Sequence, residues 1–182
     1  MFRRSVPFVL LLLAFPTFAF SAQSSTTPRN AAKPTGFRAE FLTDLDQLEQ
    51  RIIALANATP PSKFAWRPAK NVRSISEVYM HIAGGNYFLS SFLGVDAPKT
   101  ERDLEKSVKK KAEVIAELRK SFAHLRSAAN GVNDLDATVM MFGKQTSHQS
   151  VLVTMLNHLR EHLGQSIAYA RVNGVVPPWS NE

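Results

Sequence analysis

The chain is 182 residues long, 45% hydrophobic and 20% charged, which leaves room for one well-buried core and argues against an unfolded, charge-repelled chain. It has no cysteine, so disulfides and thiolate metal ligands are excluded, and only His, Asp and Glu remain to hold a metal. The formal charge is +7, of which Arg3 and Arg4 supply two, and the densest basic stretch, Lys106 to Lys111, is interleaved with Asp103, Glu105 and Glu113. That pattern reads as a solvated helix face rather than a phosphate track, so no nucleic-acid partner is expected.

In chain order, residues 1–22 read as a cleaved signal peptide. Arg3 and Arg4 precede an apolar run from Val6 to Phe20, with small residues at Ala19, Ser21 and Ala22 suited to a signal peptidase. The run is short for a spanning helix, so the mature protein is expected to be exported, periplasmic or extracellular, without stable membrane insertion. Residues 23–36, rich in Ser, Thr, Pro and Ala, read as a flexible linker.

The domain is expected over residues 37–178, followed by a tail at 179–182. Phe37, Phe41, Leu45, Leu48, Ile52 and Leu55 step by four and three and predict a first helix ended by Pro60 and Pro61. The connection through Phe64, Trp66 and Pro68 is expected to lie down on the other helices. Ser74-Ile-Ser-Glu77 has the spacing of a capping box and opens a second helix, with His81 near its middle, that runs to about Leu93. Thr100-Glu-Arg-Asp103 predicts the start of a single third helix, apolar at Leu104, Val108, Ile115, Leu118, Phe122 and Leu125, lasting until Asn130-Gly131. A long link, residues 132–145, leaves room for a short extra helix or a lid. The fourth helix is predicted from Thr146, with Gln149 as its capping partner, to Gly174. No strand alternation competes with these four helices, so the fold class is all-α, a four-helix bundle with long connections after helices 1 and 3.

His158-Leu-Arg-Glu-His162 lies inside the fourth helix. Residues four apart are about 40° apart around a helix and one turn along it, so both imidazoles can face one point, which is metal-ligand spacing. His81 lies one turn below Gly84 and Gly85 on a second helix that can face this one, and completes a candidate three-histidine group. His148 is roughly 15 Å from His158 along the axis and on another face, so it is expected to be a polar first-turn residue. His124 is expected at the bundle edge. The string His158-x-x-Glu161-His162 also matches an inverted zinc-protease motif, but too little chain follows to supply that site's further acidic ligand, and Glu161 is expected to be solvated or paired with Arg160 or a lysine.

Trp66-Arg-Pro68, then Arg73-Ser-Ile-Ser-Glu-Val-Tyr-Met-His81, then Asn157-His158-x-x-x-His162-x-Gly164-Gln165 and a closing Gly174-x-x-Pro177-Pro178 resemble the DinB-like (DinB/YfiT) family. The resemblance spans about residues 37–178. It implies an up-down-down-up helix order and a divalent metal, zinc or nickel, on His81, His158 and His162. In such a family Gly164 would allow close helix packing and Gln165 would contact the site. Family activities range from thiol-dependent S-transferases to metal-dependent hydrolases and proteins with no known reaction.

Three histidines on a tetrahedral ion leave a position for water, whose pKa a zinc ion lowers to about 7, so hydrolysis of an unidentified small molecule is the simplest reaction. The alternatives are a non-catalytic metal-binding or stress protein and an S-transferase-like enzyme. Glu77 is the candidate carboxylate beside the ligands or proton acceptor, and equally the acid of the capping box. Trp66, Phe88 and Tyr169 are candidate pocket walls or core. Exposed helix faces are compatible with a homodimer.

Overall fold

The computed structural model describes residues 36–99 and 103–180. The signal-peptide and linker expectations fall on residues 1–35 and lie outside the described residues, as does Thr100. The described chain is mostly helical: α1 Phe37–Ala58, α2 Ile75–Ser91, α3 Leu104–Ser107, α4 Lys111–Gly131 and α5 His148–Val172, with a small two-stranded sheet, β1 Thr138–Met141 and β2 Lys144–Ser147. None of the described helices is long and apolar enough to cross a membrane.

The apolar steps of α1 are buried as the spacing requires, with Phe41, Leu45, Leu48, Ile52 and Leu55 all inside. The helix ends at Thr59, whose hydroxyl donates to the Leu55 carbonyl, and Pro60 prevents continuation. Lys111 at the start of α4 donates to the free Asn57 and Thr59 carbonyls, at 2.6 and 2.9 Å, and so ties the end of one helix to the beginning of another. The connection after α1 does lie on the core. Phe64 is buried, the Ser76 amide donates to its carbonyl and the Ile75 amide donates to that of Trp66. These bonds set the place where α2 starts.

The start of α2 is the predicted capping box. The Ser74 hydroxyl accepts from the Glu77 amide, and the Glu77 carboxylate accepts from the Ser74 amide at 2.8 Å. α2 packs against both α4 and α5, and α1 packs against the same two helices, so each long helix has two long neighbours. Large side chains from all four, among them Phe41, Tyr79, Phe122 and Leu152, form one core.

Three expectations are corrected. The single third helix is two. Asp103 is left-handed (φ 68°) and caps nothing, and Val108 and Lys110 are extended between α3 and α4. Lys106, Lys109 and Lys110 would stand three and four residues apart on a continuous helix, where like charges repel; the break lets Lys109 reach Glu77 on α2 at 3.0 Å. The buried stripe of α4 accordingly runs through Val114 and Leu118, leaving Ile115 at its edge.

The link after α4 forms an antiparallel hairpin rather than a helix, so the expectation of no strands also fails. Phe142 and Gly143 both have positive φ (51° and 76°), the backbone of a tight hairpin turn, and β-branched Val139 pairs with Thr146 across it. Because Thr146 belongs to the ladder it cannot cap α5. Ser147 does so instead, accepting from the Ser150 amide. At the far end Gly174 (φ 76°) stops α5, and Trp179 folds back onto the core with the Arg51 guanidinium 5.7 Å from its ring.

Candidate metal centre

Two helices bring the three histidines together. His158 and His162 stand one turn apart on α5, and His81 faces them from α2, with ring centroids 4.6 to 5.2 Å apart. One ring nitrogen from each lies within 4.8 Å of the others, so the group can hold a metal ion. Burial is graded: His162 is 7% exposed, whereas His81 and His158 are half-buried and line a cavity of about 730 Å³.

The rings are held by the chain around them. His81 Nδ1–H donates to the Glu105 carboxylate at 2.9 Å, and the other oxygen of Glu105 accepts from Arg73 at 2.8 Å. His162 Nδ1–H donates to the Gln165 side-chain oxygen at 2.9 Å, and the Gln165 amide donates to the Tyr169 hydroxyl, whose ring meets Trp66 edge-on at 5.3 Å. Each bond places the proton on Nδ1 and leaves Nε2 with its lone pair, the arrangement in which a histidine serves as a metal ligand. His158 is different. Its Nδ1 is buried and, among the described residues, has no hydrogen-bond partner. A buried polar atom without a partner is costly, and a cation accepted by this ring would offset that cost.

The electrostatics agree with neutral donors. Burial pushes the His158 imidazole down to about 4, helped by the neighbouring His162, His81 and Arg73. Burial also lowers His81, with Arg73 and His162 adding to the effect and Glu105 opposing it. At neutral pH these two rings are uncharged, which is the form that binds a metal.

Space for His158 comes from a missing side chain. A Cβ on Gly85 would lie 2.2 Å from Cε1 of His158 and 2.9 Å from both of its ring nitrogens. At Gly84, one residue earlier, a Cβ would meet nothing within 4 Å, because that position opens onto the cavity. The close helix approach expected at Gly164 is not made there: that glycine is exposed, and a Cβ would meet nothing within 4 Å.

The other sequence candidates sort clearly. Of the two roles open to Glu77, the structure shows the capping box. Its carboxylate also pairs with Arg67 and Lys109, at 2.9 and 3.0 Å, while the carboxylate on His81 is Glu105. Phe88 lines the cavity, but Trp66 and Tyr169 stand behind His162 instead. His148 is the half-buried first residue of α5, its ring bonded to the Asp134 carbonyl. His124 lies against the edge of Tyr87, away from the three. Glu161 is exposed, and Arg160 pairs with Asp44. Glu105 was missed because it sits in a run of alternating charge that looks solvated; its sequence offers no cue beyond a carboxylate beside the apolar Leu104.

The family model for the DinB superfamily matches residues 44–166. Among solved structures, a DinB-like protein from Bacillus cereus superposes with a TM-score of 0.68 at 18% identity, covering 76% of this chain and 93% of that one. A DinB-like protein from Bacillus subtilis gives 0.62 at 14%, covering 75% and 93%. A conserved protein from Enterococcus faecalis gives 0.61 at 16%, covering 76% and 98%. No curated protein matches the chain. With the match extending over more than half its length, the chain belongs to the DinB superfamily.

Proposed function

We propose that this DinB-superfamily protein is a metal-dependent hydrolase of a small molecule, with a zinc or nickel ion on His81, His158 and His162. The observation that carries the reading is the convergence of three imidazoles from two helices where two of them also line a cavity. A divalent ion held there supplies Lewis acidity and activates water for attack.

The chain's own groups do the positioning. Glu105, anchored by Arg73, and Gln165, anchored by Tyr169, hold the Nδ1 protons of His81 and His162 and stop the rings from turning. Gly85 leaves His158 its room. Glu77 lines the same cavity, but it is a poor proton acceptor at neutral pH. Burial pushes its carboxyl up, yet the Ser74 amide, Lys109 and Arg67 more than offset this and hold it at about 2. In this reading Glu77 fixes the start of α2 and thereby the height of His81.

The finer features of the proposal are an up-down-down-up order for the four long helices, in keeping with the start of α4 lying at the end of α1, and export by residues 1–22, so that metal is acquired outside the cytoplasm. Elemental analysis of chain purified without chelator, together with turnover on a panel of esters, amides and lactones, tests the proposal. The expected result is about one zinc or nickel per chain and hydrolysis of at least one class, both lost in His162→Ala. Stoichiometric metal with no turnover across the panel would leave a metal-binding protein and refute the hydrolase.

A further inference from the structure

The cavity beside the histidines has two kinds of lining. One is apolar: Met80, Leu89 and Leu104 with the rings of Phe88 and Phe142, beside the bare backbone of Gly84. The other carries Glu77, Asp103, Glu105 and Lys106, and each of these charges already has a counterion. Glu77 holds Arg67 and Lys109, Glu105 holds Arg73 and His81, and Asp103 holds Lys106. Away from an ion on the histidines, a charged group on the ligand would have to break one of these pairs to find its own partner. A neutral one would not.

The aromatic rim is costly in water. Phe142 sits in the left-handed region at a hairpin tip, where Asn, Asp or Gly is the usual residue, and is 65% exposed. Phe88 is 51% exposed. The two rings lie 6.1 Å apart and both touch Phe92, at 5.2 and 5.8 Å, so they form one apolar cluster at the cavity mouth rather than scattered surface residues. The cavity volume of about 730 Å³ falls in the range of small-molecule sites.

We propose that the site takes a neutral small molecule bearing an aryl or branched alkyl group, seated over Gly84 against Phe88 and Phe142, with its polar end toward His81 and His158. Phe142 and Gly84 are then specificity residues, one supplying a wall and the other the space. The inference rests on the reading of these histidines as the reactive end of the cavity.

Calorimetric titration of the full chain with 3-phenylpropionamide, its 4-carboxyphenyl counterpart and acetamide tests the proposal without requiring turnover. The neutral aryl amide is expected to bind about tenfold or more tighter than either of the others. Phe142→Ala and Gly84→Leu should each weaken it by about tenfold or more, the first by removing a wall and the second by filling space that opens at Gly84, where an added Cβ meets nothing within 4 Å. Both variants are expected to fold, since Phe142 is exposed and Gly84 has open space for a Cβ; a cooperative heat-unfolding transition no lower than that of wild type checks this. Equal affinity for the three ligands, or undiminished binding by Gly84→Leu, overturns the proposal. So does a Phe142→Ala variant that binds normally but sediments as a smaller species, which would assign the ring to contact between copies. A chain that prefers the aryl amide but turns over no ester, amide or lactone of the panel sinks the hydrolase and leaves this inference standing; one that hydrolyses acetyl and phenylpropionyl esters equally fast does the reverse.

Discussion

Gly85 shows how one absent side chain shapes the site. Glycine in mid-helix costs roughly 1 kcal/mol relative to alanine, and the return here is room for the His158 ring. Gly85→Ala is therefore expected to lose metal binding while changing stability by no more than about 1 kcal/mol, because the gain in helix propensity works against the displaced imidazole. The neighbouring Gly84→Ala is expected to gain about 1 kcal/mol and keep its metal, since its Cβ meets nothing. Metal content and thermal unfolding of the two variants side by side check this, and equal metal loss in both would show that propensity rather than the ring contact is at work. The glycine pair was visible in the sequence as an oddity beside His81. Which of the two mattered was not, because only α5 packed against α2 decides which position the His158 ring occupies.

At the scale of elements, helix termini place the ligands. The capping box at Ser74 and Glu77 starts α2 and so sets the height of His81. The Glu77 carboxyl lies at about 2, below its ordinary value of 4.5, so the stabilisation it gives is complete above about pH 4.5 and is lost as pH falls from there to about 2. In acid unfolding curves, wild type should exceed Glu77→Gln in stability above pH 4.5, with the gap closing as pH falls to about 2. A constant gap across that window would show that hydrogen-bond geometry, not charge, makes the contribution. α1 and the start of α2 were legible in the sequence because Leu45, Leu48 and Ile52 step at helical spacing and a Ser and Glu three apart satisfy a helix end. The division of α3 from α4 and the hairpin were not. Both depend on partners in other elements: Lys109 on Glu77, and Val139 on Thr146.

At the scale of the molecule, the site ties α2 to α5, so a bound ion joins two helices that are distant in sequence. An ion that binds only the folded state, present at a hundred times its dissociation constant, adds about 2.7 kcal/mol, which for a domain of this size raises Tm by roughly 5 to 10 °C. Zinc or nickel added to chelator-stripped protein is expected to give that rise in wild type and none in His81→Ala. An equal rise in both would place the ion elsewhere.

The sequence by itself determined the helical class, the separation of His158 and His162 by one turn, and the absence of thiolate ligands, because periodicity and residue chemistry are local properties of the chain. Only the tertiary structure decided that Glu105 rather than Glu77 holds His81, that Phe142 reaches the cavity of His158, and that Gly85 rather than Gly164 gives way to a neighbour. Each of these is a meeting between residues brought together by packing, and hydrogen-bond and van der Waals contact, which act over a few ångströms, leave no periodic trace in the order of the amino acids.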